Sequence, residues 1–196
     1  MNDSKILLVG NSPSVLDYNF ADKIDNFDIV VRFNNFQLNG YEKHIGTKCT
    51  ILCRRACDDV KMWPKSMFEK IICFMTYCKW TPWMPQVINQ IKHIYQEKLI
   101  VIPPSITKIT GEKIGLDQPN NQWCSIGVLA IDYFLQEYDH LTIHGFDHLK
   151  PEPVNNQILH YYPTPPKDAC YHDGTKEEIF INNLIQQNKI SRLRSI

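Results

Sequence analysis

The chain has 196 residues, enough for one domain with a real core and short of two. Hydrophobic residues make up 43% and charged residues 21%, with 21 basic side chains against 21 acidic ones. A soluble globular protein is expected, without the bulk charge that would draw a chain to nucleic acid or membrane. The opening apolar run, residues 6–9, is too short for a signal-peptide core, and no segment approaches the ~18 apolar residues of a membrane span, so a cytoplasmic protein is expected.

KILLVG (5–10) reads as a buried parallel strand that ends in a Gly-Asn-Ser turn. Residues 14–24 read as a short helix or turn, and FDIVVRF (27–33) as a second strand. KCTILC (48–53), after a turn at Gly46, is a third strand, and KIICFM (70–75) a fourth. A helix over 85–97 leads to a fifth strand, KLIVIP (98–103). SIGVLAIDYFLQEY (125–138) has apolar residues at helical spacing behind Ser125, a candidate N-cap. HLTIHGF (140–146) is a sixth strand, and TKEEIFINNLIQQN (175–188) a helix whose opening acids suit its positive end. This alternation predicts one α/β domain over 1–196, Rossmann-like, with a mostly parallel sheet flanked by helices. Ligands of such sheets sit at the carboxyl ends of the strands, near a switch in strand order, and Asn11 and Asn34 both fall at such ends.

The seven cysteines (49, 53, 57, 73, 78, 124 and 170) are odd in number and scattered, as reduced thiols would be. No CxxC pair occurs and no histidine stands at zinc-finger spacing, which argues against structural zinc. Of the seven histidines, His44, His93, His140, His144 and His148 fit surface, capping or strand positions.

Four segments carry chemistry. Gly10-Asn11-Ser12-Pro13-Ser14 lacks the glycine pattern of a Walker loop or a dinucleotide fingerprint, yet its glycine allows close backbone approach and its amide both donates and accepts. Arg32-Phe33-Asn34-Asn35 is a polar strand end. Ser125-Ile126-Gly127 opens a helix, where outward N–H groups and the helix dipole favour an anion. HYYPTPPKDACYHDGTKEE gathers His160, Tyr161, Tyr162 and His172 in a Pro-rich stretch before a helix, and a histidine near its neutral pKa can take a proton from a hydroxyl. Each segment alone also fits an ordinary turn, cap or solvated strand end.

Together, and in this order, they resemble the motifs of the eukaryotic-type sialyltransferases, glycosyltransferase family 29. LLVGNSPSVLDYNFADKIDNFDIVVRFNNF, continued by HIGTKCTI, is similar to the large sialyl motif, and CSIGVLAIDYFLQEYDHLTIHGF to the small one, with Ser125 and Gly127 at its Ser-x-Gly positions. His160-Tyr161-Tyr162 looks like the third motif, and His172 with Glu177 like the very small His-x4-Glu motif. A bacterial sialyltransferase family, family 42, with a similar Gly-Asn-x-Pro-Ser start, is a weaker resemblance. Family 29 members are usually anchored in the Golgi and carry a disulfide joining the large and small motifs. Neither the first strand nor LQEYDHLTIHGF contains a cysteine, so a minimal soluble member, bacterial or viral, is expected. Residues 54–122 carry no matching motif.

The resemblance implies a variant GT-A-like fold and an inverting transfer of sialic acid from a CMP-sugar donor to a hydroxyl of a glycan or glycolipid acceptor. No cofactor or metal is expected, and no Asp-x-Asp metal motif occurs. It also implies that Asn11, Ser12, Asn34, Ser125, Ile126, Gly127, Tyr161 and Tyr162 bind the nucleotide, that His160 meets the departing phosphate, and that His172 acts as base. Gly10 and Glu177 support them, Glu177 by orienting the loop that holds His172. CMP-Kdo or another activated sugar as donor, and a nucleotide-binding module without turnover, are the alternatives; the pair His160 and His172 argues against the module. A basic end, Lys189, Arg192 and Arg194, is a weaker pointer to a charged or membrane-borne acceptor.

Overall fold

The apolar runs pair into a single sheet. The computed structural model describes residues 4–57, 59–75, 84–117, 122–147, 160–163 and 172–194. Among them, β1 (Ile6–Val9), β2 (Ile29–Phe33), β3 (Ile51–Arg55), β4 (Lys70–Phe74), β5 (Leu99–Ile102), β6 (Leu141–His144) and β7 (Ile190–Arg192) lie in the order β5-β4-β3-β2-β1-β6-β7. Every pairing is parallel, which goes further than the mostly parallel sheet expected.

A parallel sheet must be covered on both faces, and side chains alternating along its strands supply both. Leu8, Val31, Phe33, Cys53 and Ile72 pack under α5 (Ile126–Phe134) and α6 (Gly174–Gln186). Leu7, Val30, Leu52 and Ile71 face the other way, under α1 (Ala21–Asp25), α2 (Glu42–Ile45) and α3 (Met84–Tyr95). No helix among the described residues is long and apolar enough to cross a membrane.

Most boundaries fall within a few residues of those read from the sequence. Residues 14–24 become a 3-10 turn (Pro13–Asp17) followed by α1, and the 85–97 helix closes in a 3-10 turn at Gln96–Lys98. Two helices and one strand were not read. Helix α4 (Pro104–Lys113) is built from Ile, Thr and Gly, which are poor helix formers, behind a Pro-Pro start. Helix α2 is a single turn, and β7 has three residues and is held by pairing with β6.

Strand order decides where a crevice opens. From β1 the chain runs outward to β2 and on to β5; the return crossover then sets β6 on the opposite side of β1. The carboxyl ends of β1 and β6 therefore flank a topological switch point. Val9 pairs with His144 there, and counting on from Leu8↔Val31 brings Asn11 level with Asn34.

Candidate active site

At the switch point the backbones of β1 and β6 come very close. Gly10 N donates to His144 O at 2.7 Å and Ser12 N to Gly145 O at 3.3 Å. The Ser12 hydroxyl accepts from Asp147 N at 3.1 Å, and Ser14 donates through both N and Oγ to the Asp147 carboxylate. Ser12, expected to bind nucleotide, thus uses its side chain to fix the loop after β6.

Asn11 Nδ2 donates to Phe33 O at 3.1 Å and to the Tyr162 hydroxyl at 3.3 Å. A carbonyl only accepts, so the Phe33 contact sets which way the amide points. Its Oδ1 is buried and has no hydrogen-bond partner among the described residues. Asn34 is oriented the opposite way. It adopts a left-handed backbone (φ 47°), its Oδ1 accepts from Arg55 N at 3.1 Å, and its backbone carbonyl accepts from Trp63 Nε1 at 2.9 Å. Asn11 is left presenting an acceptor and Asn34 a donor, Nδ2.

Residues 160–162 close over this end of the sheet. Tyr161 N donates to Asn11 O at 2.8 Å, and the Tyr161 hydroxyl donates to Gln37 O and accepts from Gln37 N. Burial pushes the Tyr161 phenol up to about 12, and that of Tyr162 upward too, so both keep their protons at neutral pH. His160 stacks on Tyr162, with ring centroids 5.2 Å apart and planes 9° from parallel.

The second group lies where α5 and α6 begin. Ser125 is the N-cap of α5, as read from the sequence, and its Oγ accepts from Val128 N at 3.3 Å. The same Oγ donates to Glu177 at 2.7 Å, while Ser125 N donates to the other Glu177 oxygen at 2.6 Å. Glu177 is only 2% exposed, and burial pushes its carboxyl up to about 7. With the hydroxyl engaged on both sides, the helix end offers a ligand the N–H groups of Ile126 and Gly127, which lack partners within the helix. Asp173 caps α6 by accepting from Lys176 N. His172 Nδ1 lies 2.8 Å from Trp123 O. That carbonyl can only accept, so Nδ1 carries a proton, and in the neutral ring the lone pair is then on Nε2.

Phe146 joins the two groups. Its ring meets Phe33 edge-on at 5.9 Å and lies so near Gly127 and Gly10 that an added Cβ would stand 2.7 Å and 3.2 Å from it. Phe146, Trp123 and Asp147 were not read as site residues; Phe146 and Asp147 directly follow the positive-φ turn at Gly145, which was the available signal. Arg32 is a further finding. It is 1% exposed and donates to the backbone carbonyls of Ile45 and Lys48, holding that turn against β2. Burial lowers its pKa, and its Nη1 has no hydrogen-bond partner among the described residues.

The histidines set aside in the sequence stay aside: His44 bonds Tyr18 O, His140 bonds Asn188 O and Ser191, and His144 ends β6. His148, Cys78 and Cys170 lie outside the described residues. Cys49, Cys53, Cys73 and Cys124 are free thiols.

A doubly wound parallel sheet with polar side chains gathered at its carboxyl edge defines a class: α/β proteins that hold a ligand at a strand-order switch. Within that class the identity is specific. The model of glycosyltransferase family 29 (sialyltransferase) matches residues 5–189, and the chain belongs to that family. It is 24% identical to the human CMP-N-acetylneuraminate-beta-1,4-galactoside alpha-2,3-sialyltransferase, over 97% of this chain and 57% of that protein. To the mouse lactosylceramide alpha-2,3-sialyltransferase it is 20% identical, over 96% of this chain and 52% of that one. The chain thus spans a little over half the length of these relatives. A mammalian sialyltransferase crystal structure has the same fold, with a TM-score of 0.73 at 20% identity over 98% of this chain and 70% of that one. So does the Campylobacter jejuni sialyltransferase CstII in complex with a substrate analogue, cytidine-5'-monophosphate, with a TM-score of 0.62 at 15% identity over 98% and 81%.

Proposed function

We propose that this protein transfers sialic acid from CMP-sialic acid to a hydroxyl of a glycan acceptor, with inversion and without a metal ion. The observation that carries this reading is the pairing of His172 with Trp123 O, which sets an imidazole lone pair on Nε2 just before α6. In this reading the acceptor hydroxyl gives its proton to His172 Nε2. Its oxygen attacks the anomeric carbon from the face opposite CMP, and the C–O bond to the phosphate breaks with its electron pair leaving on CMP. The leaving group is a single phosphate, so modest stabilisation suffices. His160, the protonated Tyr162 phenol, Asn34 Nδ2 and the N–H groups of Ile126 and Gly127 are suited to supply it. Asn11 Oδ1 is suited to accept a hydrogen bond from the nucleoside.

The test joins binding to turnover. In EDTA, CMP at about 100 times its Kd should stabilise the fold by about 2.7 kcal/mol. CMP-sialic acid with a galactose-terminated acceptor should release CMP under the same conditions. A melting temperature that responds to UDP or NAD and not to CMP would sink the donor assignment. Turnover with CMP-Kdo in place of CMP-sialic acid would change the sugar and keep the chemistry.

A further inference from the structure

We propose that Lys61 forms an anion subsite for the acceptor: its ammonium is held beside the strand-end site to take a carboxylate or phosphate carried by the acceptor glycan. The inference rests on the transfer reading above and deepens it, since it names the class of acceptor.

The loop after β3 is built around a buried cation. Arg54 is 0% exposed, and no carboxylate among the described residues pairs with it. Its guanidinium donates instead to the backbone carbonyls of Arg55, Val60, Cys57 and Lys61, at 3.2, 3.3, 3.4 and 3.5 Å. A buried charge is costly unless its donors are satisfied, so these carbonyls are held in place. Asn35 ties the loop from the other side. Its Nδ2 donates to Asp59 O at 2.8 Å, and its Oδ1 accepts from Lys61 N at 2.6 Å. Lys61 is thus fixed through both its backbone N and its backbone O.

Its side chain is placed as well. The Lys61 Nζ lies 3.9 Å from the centre of the Trp63 ring. Phe36 stacks on the same indole, with centroids 4.5 Å apart and planes 20° from parallel. Two groups this close cannot share one face, so the indole is held between them. Trp63 is buried, and its Nε1 donates to Asn34 O at 2.9 Å. One indole ring therefore separates the ammonium from the backbone of Asn34. Lys61 is exposed, and no acidic side chain among the described residues pairs with it; Asp59, on the same loop, is bridged to Arg55. A surface lysine normally loses rotamer freedom when it grips an anion. Here the ring and the backbone bonds order it before the ligand arrives.

Position selects the acceptor over the donor. Strand β3 lies two strands beyond β1, roughly 10 Å across the sheet, on the side away from the switch point. In CMP-sialic acid the carboxylate sits on the anomeric carbon, which also bears the phosphate oxygen. It therefore stays beside the phosphate, which the reading above assigns to Asn34 Nδ2. One indole ring further out, Lys61 meets a charge on the other substrate.

The experiment compares wild type, K61Q, K61E and K61R in the full chain, with melting temperature as the fold check. The acceptors are lactose, lactose bearing a sialic acid and lactose bearing a phosphate. CMP release gives KM for each acceptor and for CMP-sialic acid. In wild type, KM should be about 5-fold lower for at least one charged sugar than for lactose, and the preference should fade in about 0.5 M salt. K61Q should abolish the preference, K61E reverse it and K61R keep it. The two charged sugars tell carboxylate from phosphate. A wild type without the preference, a K61Q that keeps it, or a K61Q whose loss falls on CMP-sialic acid instead would each overturn the proposal. A wild type that releases no CMP with any acceptor overturns the transfer reading. Saturation-transfer NMR with the same sugars then decides Lys61 separately: contact with a charged sugar that disappears in K61Q supports the subsite, and equal contact in both proteins, or none, overturns it.

Discussion

The end of the β1–β2 pair and the start of α5 and α6 both bring polar groups to the same edge of the sheet, but by opposite means. At the strand ends, the amides of Asn11 and Asn34 are each pinned by a neighbour's backbone, Phe33 O in one case and Arg55 N in the other. Among the described residues each keeps one polar atom without a hydrogen bond, Oδ1 of Asn11 and Nδ2 of Asn34. At the helix starts, the Ser125 hydroxyl donates to Glu177 and accepts from Val128 N, Ser125 N donates to the same carboxylate, and His172 Nδ1 rests on Trp123 O. What is left over there is backbone N–H. Strand ends therefore present side-chain groups whose polarity is set by their neighbours, whereas helix ends present backbone groups whose position is set by side chains. Substitutions should act directly on the ligand in the first region and indirectly in the second.

The largest expected effect sets the two histidines apart. His172→Ala should lower kcat by roughly 10²–10⁴ and leave CMP affinity intact, because the base meets the acceptor and not the nucleotide. His160→Ala, stacked on Tyr162 at the strand-end group, should lower kcat and weaken CMP binding together. Steady-state kinetics beside CMP titrations decide it, and equal patterns for both variants would erase the distinction.

Next come the glycines. A Cβ on Gly10 would stand 2.2 Å from the backbone oxygen of Gly145, whereas one on Gly127 would meet the edge of the Phe146 ring at 2.7 Å. Two backbones tied by the bonds from Gly10 N to His144 O and from Ser12 N to Gly145 O cannot part easily, but a ring can swing. Gly127→Ala should cost about 1–3 kcal/mol and Gly10→Ala more, read as unfolding midpoints in urea. A Gly127→Ala that proved the costlier would show the helix start to be the stiffer region.

A smaller effect tests amide polarity. Asn34→Asp keeps the bond from Arg55 N and exchanges Nδ2 for an oxygen, so the fold should hold while CMP weakens by about tenfold or more. Asn11→Asp sets a carboxylate oxygen against Phe33 O, so it should lower stability by about 1–3 kcal/mol before any ligand is added. Melting curves with and without CMP separate the two.

The smallest net change is expected in the pH dependence of wild-type stability, because the two regions oppose each other. Glu177, raised by burial to about 7, contributes stability that is present below an ordinary carboxyl pKa near 4.3 and lost as pH rises through 7. His144, lowered by burial to about 4, contributes stability that is present above an ordinary imidazole pKa near 6.5 and lost as pH falls through 4. Each is worth up to about 3 kcal/mol across nearly the same window, with opposite slope. Urea midpoints between pH 4 and 7 should rise with pH in E177Q and fall in His144→Phe, whose ring would sit against Phe20 as the imidazole does. Parallel slopes in the two variants would mean that neither group titrates as its burial implies.

Much of this was legible in the chain itself. Six apolar runs become six strands because a buried parallel strand needs a continuous apolar stretch, and each run in this sequence is bounded by turn residues. Ser125 as the cap of α5 follows from local chemistry: a hydroxyl ahead of an amphipathic run. His160, Tyr161, Tyr162, His172 and Glu177 stand out in the sequence as part of an ordered set of motifs that resembles the family's. Tertiary structure decided what each of them touches. Three residues of β7 hold as a strand only against β6, and α4 forms from β-branched residues because Thr107 and Thr110 are buried against the body of the protein. Ser12 and Glu177 turned from ligand and loop to Asp147 and Ser125, and Arg32, which reads as a solvated strand end, points into the core. The physical reason is range. Helix, strand and cap preferences act over a few residues and are written locally. Which lone pair or N–H remains unused at a site depends on partners up to 151 positions away, as Tyr162 is from Asn11, and only packing brings those together.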